Sequence, residues 1–271
     1  MIKTIILIKK NIIHVLNSKV DQYNHIDFIE SDPVSIPHQF TKNKDIEIAA
    51  FFAATLAWGN RKSIISSCKK LMQIMDNSPY EFVLNWKENR RQQKEIKHFV
   101  HRTFNDIDLK HFIDFLHYHY AIKKEISLET AFSSGFQQSD ENVENVLNNF
   151  YHYFFDENIF LDYEARTHKH IAAPFKKSAC KRLNMFLRWM VRSDKSGVDF
   201  GLWKSIHPSQ LVMPMDVHVV NVANHLGIIS SAKTNWENAV ALTNQLKTLD
   251  ASDPVKYDYA LFSLGLVEGI K

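Results

Sequence analysis

Between Lys177 and Val191 the apolar side chains Ala179, Leu183, Phe186, Leu187, Met190 and Val191 recur at three- and four-residue steps, a spacing that an α-helix turns into one continuous face. Ile64, Ile65, Cys68, Leu71, Met72 and Met75 repeat the same step. Seven glycines and seven prolines in 271 residues leave few punctuation points, and helical rather than alternating period dominates, so the chain is expected to be all-α.

A first helix is expected from Met1 to about Val20, followed by a proline-marked loop over Asp32–Thr41 and a largely buried helix over Asp45–Trp58. Gly59 and Asn60 break that helix, and further helices are expected near Pro79–Trp86, Gln92–Arg102, Leu109–Tyr120 and Val143–Phe155. A chain of this length can bury a core in one large domain or two lobes. The net charge of +3 and an isoelectric point near 8.6 admit a nucleic-acid partner without requiring one. Cys68 and Cys180 are far apart and offer no disulfide framework, and the opening run Met1–Lys10 becomes charged too quickly for a signal peptide or a membrane span. A cytoplasmic monomer with no membrane partner is expected.

Pro174 suits a first helical turn, where its missing N–H costs nothing. A helix starting there puts Lys176 and Lys177 at the positive end of the macrodipole, which disfavours each cation by roughly 0.3–1 kcal/mol. A bound phosphate would relieve that strain, and so would lysines extended into water. Lys177, Lys181, Asn184, Arg188 and Arg192 line the side opposite the apolar face. In the next helix Asp216 follows Pro214 as an N-cap, Val217, Val220, Ala223 and Leu226 share one side, and Gly227 is the stop. Read plainly, Asp216 is a cap worth about 1 kcal/mol.

The strings Lys177, Ser178, Ala179 with Leu183, Asn184, then Met215, Asp216, Val217, His218 resemble the helix-hairpin-helix (HhH-GPD) DNA glycosylases of the endonuclease III type, which carry a Lys-Thr-Ala helix followed by a Val-Asp-Thr-His helix. Asp45–Lys62 is similar to their first core helix and the polar loop after it, and Asp253–Gly265 to their last core helix. Nearly the whole chain resembles a bacterial branch of that superfamily. The resemblance implies a two-lobed helical glycosylase-like domain spanning 1–271, with an interior lobe over about 45–174 and a second lobe from about 1–44 plus 175–271. Two departures stand out. The glycine-bearing hairpin before the lysine is degenerate here, reading Ile171, Ala172, Ala173, Pro174, Phe175, Lys176, and Lys177 lies 39 residues before Asp216, across what looks like an insertion over Asp194–Asp199 and Trp203–Pro208. With two cysteines, no four-cysteine iron–sulfur cluster can form.

The implied function is excision of a damaged base from double-stranded DNA, with lysine-dependent cleavage at the abasic site and no cofactor. Lys177 would be the amine nucleophile and Asp216 the carboxylate that stabilises positive charge on the sugar. Trp58, Asn60, Arg61, Lys62, Lys176, Lys181, Arg188 and His218 would contact DNA. Trp58 as a core residue and His218 as a plainly hydrogen-bonded one remain open. So do two other function classes: a non-catalytic nucleic-acid-binding protein, and a metal-dependent hydrolase suggested by His98, His101, His111, His117 and His119 near Asp106, Asp108 and Asp114 and by His168 and His170. These spacings match no metal-ligand signature.

Overall fold

The computed structural model describes residues 8–269, which contain thirteen α-helices, several short 3-10 turns and one hairpin of two-residue strands, Val100–His101 paired antiparallel with Phe104–Asn105. The fold is therefore mostly helical. No described helix is long and apolar enough to cross a membrane.

The chain divides into two units. The interior unit comprises Ile29–Phe136 and Val146–Ala172; the other takes the described residues up to Phe28, Gln137–Asn145 and everything described from Ala173 onward. The interior unit thus starts at Ile29 rather than near Asp45, because the 3-10 turns Pro33–Ser35 and Pro37–Gln39 pack against the buried helix Asn43–Thr55. That helix is buried from Asp45 to Thr55. Phe51 stacks on Phe112 at 5.5 Å and meets Phe150 edge-on at 5.9 Å, making an aromatic core. Its buried acids are satisfied: Asp45 accepts from the Tyr80 N–H at 2.9 Å, and Glu47 accepts from the Tyr120 hydroxyl at 2.8 Å.

The expected Gln92–Arg102 helix is shorter than its periodicity suggests. The helix covers Arg90–Glu95, and the chain then turns through the hairpin, with Arg102 at φ +56°. Asn105 and Asp108 form a capping box that starts the next helix, Asp106–His117, afresh.

In the second unit the first described helix is Lys10–Tyr23, and the expected start of that helix at Met1 lies outside the described residues. It packs on Asp258–Leu266, which also packs on Val217–His225. The helix Lys181–Val191 is buried nearly all round. The apparent insertion after it folds back onto its C-terminus: Phe200 N–H donates to Trp189 O at 2.8 Å, Trp203 N–H donates to Met190 O at 2.9 Å, and the Trp203 ring meets Phe186 edge-on at 5.2 Å. Those carbonyls are among the ones a helix end leaves without partners, so the segment caps the helix.

Candidate active site around Asp216

The expected helix start at Pro174 is corrected by the structure. Pro174–Lys176 is a single 3-10 turn, Lys177 and Cys180 both lie in the left-handed region at φ +60° and +50°, and the helix begins at Lys181. Neither Lys176 nor Lys177 is in its first turn. Lys177 and Cys180 are two left-handed corners in residues other than glycine, at a cost on the order of 1 kcal/mol or more each. Lys177 is exposed, and its carbonyl accepts from the Trp236 N–H at 3.4 Å. Lys176 is exposed too, its ammonium 5.7 Å from the Phe175 ring, and that ring is 49% exposed.

Asp216 caps Val217–His225 as expected, its Oδ1 accepting from the Val219 N–H at 2.9 Å. Its Oδ2 accepts from Lys181 Nζ at 2.6 Å. The pair is partly open to solvent, the two side chains being 30% and 21% exposed. Burial pushes the Asp216 carboxyl up, but the Lys181 ammonium and the cap N–H outweigh it and hold the acid below its ordinary range. Asp216 sits at the positive end of its helix, where an anion is favoured, while Lys181 opens its own helix, where a cation is disfavoured; the ion pair offsets that cost. Lys181 also lies 5.9 Å from the Phe262 ring centroid. His218 is exposed, and its Cβ approaches Gly265 so closely that a methyl there would lie 3.2 Å away.

Arg188 is not on an exposed basic face. With Arg192 it is buried: Arg188 pairs with Asp258 and, at 3.3 Å, with Asp199, and its guanidinium lies 4.4 Å from the Tyr259 ring. Arg192 reaches Asp199 and Asp253 at 2.9 Å each and Asp194 at 2.6 Å. Two guanidiniums thus serve four carboxylates, and burial raises Asp258 to about 6 despite its contact with Arg188.

The remaining expected DNA contacts belong to the interior unit. Asn60 is the N-cap of Arg61–Ile74, accepting from the N–H groups of Lys62 and Ser63. Trp58 is half-buried, edge-on to His101 at 5.0 Å and tilted to His170 at 5.8 Å; Arg61 faces Asp32 at 3.8 Å; Lys62 is exposed.

Most of the histidines behind the hydrolase reading have structural partners. His111 Nε2 donates to the Phe154 carbonyl at 3.0 Å, His117 Nδ1 to Val83 O at 2.8 Å and His119 Nε2 to Ser127 O at 2.9 Å, while His170 faces Asp108 at 3.2 Å. Among the described residues no group of three or more His, Cys, Asp or Glu side chains is placed to hold a metal ion. Cys68 and Cys180 are buried, and burial pushes both thiols up to about 12, so neither supplies a thiolate.

A family model described as "protein of unknown function (DUF2400)" matches residues 32–267, most of the chain. The chain belongs to the DUF2400 family. No curated protein and no solved structure matches it. Membership covers both Lys177 and Asp216 and nearly all of the described core.

What sequence reasoning missed is the partner of Asp216. Lys181 stands one turn's spacing beyond Lys177 in the sequence, and a continuous helix would put both on one face; the left-handed residue at Cys180 ends that equivalence. Nothing local signals it, because a left-handed cysteine carries no mark comparable to glycine.

Proposed function

We propose that this DUF2400 protein is a DNA glycosylase-like enzyme of base-excision type, acting on a damaged base or abasic site in duplex DNA. The observation that carries the reading is the Asp216 carboxylate, kept ionised at a helix N-terminus with one oxygen on a backbone N–H and the other on a lysine. A fixed anion in a half-buried setting suits a reaction that develops positive charge on a sugar ring.

The target nucleotide would leave the stack before reaction, since a stacked base cannot be reached. As the bond from C1′ to the base breaks, Asp216 stabilises the cationic sugar. Lys177 is the exposed amine of the family-like motif and supplies the nucleophile for a Schiff base at C1′. Loss of a proton from C2′ then expels the 3′ phosphate by β-elimination. DNA binding without chemistry is the competing reading, and it follows from the same basic residues.

The test is borohydride trapping and base release on duplexes carrying an abasic site, uracil, 8-oxoguanine or an oxidised pyrimidine. A covalent band absent from Lys177→Ala is expected. Asp216→Asn should lose base release by at least tenfold while stability changes by less than about 1 kcal/mol, because asparagine caps a helix as well as aspartate does. Duplex binding with neither band nor released base on any substrate would leave the binding reading.

A further inference from the structure

The lysine that touches Asp216 is not the lysine of the motif. We propose that Lys181 is the positioning residue of Asp216: its ammonium fixes the charge and direction of the carboxylate, and the same ion pair withholds Lys181 from covalent chemistry. The catalytic consequence rests on the glycosylase reading; the electrostatic core stands on geometry.

Asp216 is held at both oxygens, by Val219 N–H at 2.9 Å and by Lys181 Nζ at 2.6 Å, and two fixed donors on two different helices determine the plane of a carboxylate. The ionisable groups around it are Lys181 from the helix Lys181–Val191, His218 from its own helix, and Asp258 from Asp258–Leu266, which the Asp216 charge helps to raise. Of these, Lys181 is the cation in direct contact. Its ammonium is further confined by the Phe262 ring at 5.9 Å. A nucleophilic amine needs a free lone pair. Lys181 Nζ donates to Asp216 Oδ2 at 2.6 Å, and an amine engaged in that contact is turned away from an incoming sugar carbon. The two lysines therefore divide the work. Lys177 Nζ adds to the C1′ aldehyde of an abasic site and expels water to give the imine, and hydride from borohydride reduces that imine to a secondary amine; Lys181 keeps its contact with Asp216.

The deciding experiment follows the Asp216 carboxyl carbon by NMR across pH in the full-length chain, assigned by its loss in Asp216→Asn, for wild type, Lys181→Gln and Lys181→Arg. The titration midpoint should rise by about one pH unit or more in Lys181→Gln, a tenfold or greater gain in proton affinity, and Lys181→Arg should restore it to within a few tenths. An unmoved midpoint in folded Lys181→Gln overturns the proposal; if that variant does not fold, a Lys181→Arg midpoint shifted by a full unit does so. In parallel, the borohydride adduct should persist, at reduced yield, in Lys181→Gln, and its complete loss there overturns the division of labour. If wild type gives neither adduct nor released base, the glycosylase reading fails while the titration still decides the role of Lys181.

Discussion

At Lys177 two demands meet in one residue: a left-handed backbone and a long basic side chain held in water. Glycine meets the first demand without strain, and a β-branched residue meets it worst. Lys177→Gly should therefore fold with stability equal to wild type or up to about 1 kcal/mol higher, whereas Lys177→Val should lose about 1–2 kcal/mol, both read from urea midpoints. A loss in the glycine variant would mean that the lysine side chain makes stabilising contacts that outweigh its backbone strain. The glycine variant also removes the amine without a fold defect, which makes it a cleaner partner to Lys177→Ala in trapping. At this scale Asp216 was legible in advance as a cap, because a cap involves residues only three positions apart. Its pairing with Lys181 was not, because the two lie 35 residues apart and meet only when two helices are packed.

Among elements, the helix Lys181–Val191 shows how far periodicity reaches. Its apolar face was readable, but the opposite stripe, which reads as an exposed basic side, is buried through Asn184, Arg188 and Arg192. The carboxylates that make this possible come from elsewhere: Asp194 and Asp199 from the following segment, Asp253 and Asp258 from the far end of the chain. That following segment depends on Gly201, whose φ is +58° and whose added methyl would lie 2.4 Å from Ser193 Cβ. Gly201→Ala should cost about 2 kcal/mol or more, since it adds backbone strain to a clash that the backbone itself must absorb. The expected signature is a lower urea midpoint with an unchanged slope. A neutral Gly201→Ala would mean that the loop relaxes freely and does not cap the helix.

Across the whole molecule the buried histidines set the response to acid. Burial pushes His111 down to about 4, against the Phe154 carbonyl it donates to, and pushes His101 and His119 down as well. The unfolded chain therefore binds more protons than the folded one between about pH 6.5 and 4, so stability is full above that window and falls as pH drops through it. His111 alone accounts for about 3 kcal/mol at the acidic end. Asp258 acts in the opposite sense, since its raised carboxyl favours the folded state at low pH and loses that contribution as pH rises through about 6. Asp253 is raised as well, but the lowered histidines, joined by the lowered carboxyls of Asp108, Asp114 and Asp216, make acid destabilisation the expected net result. Urea unfolding at pH 7 and pH 4.5 should show it, and His111→Gln should flatten the difference; a wild type equally stable at both values would contradict the burial of these rings.

The helical class, the approximate position of most helices and the cap at Asp216 can be read from the chain alone, because hydrophobic period and capping act over a few residues along one segment. That Lys181 faces Asp216, that Arg188 is buried, and that the helix begins at Lys181 rather than Pro174 follow from packing between distant segments. Each of these depends on which distant groups share a low-dielectric space, and the energy of a charge there is set by its neighbours in space rather than by its own identity.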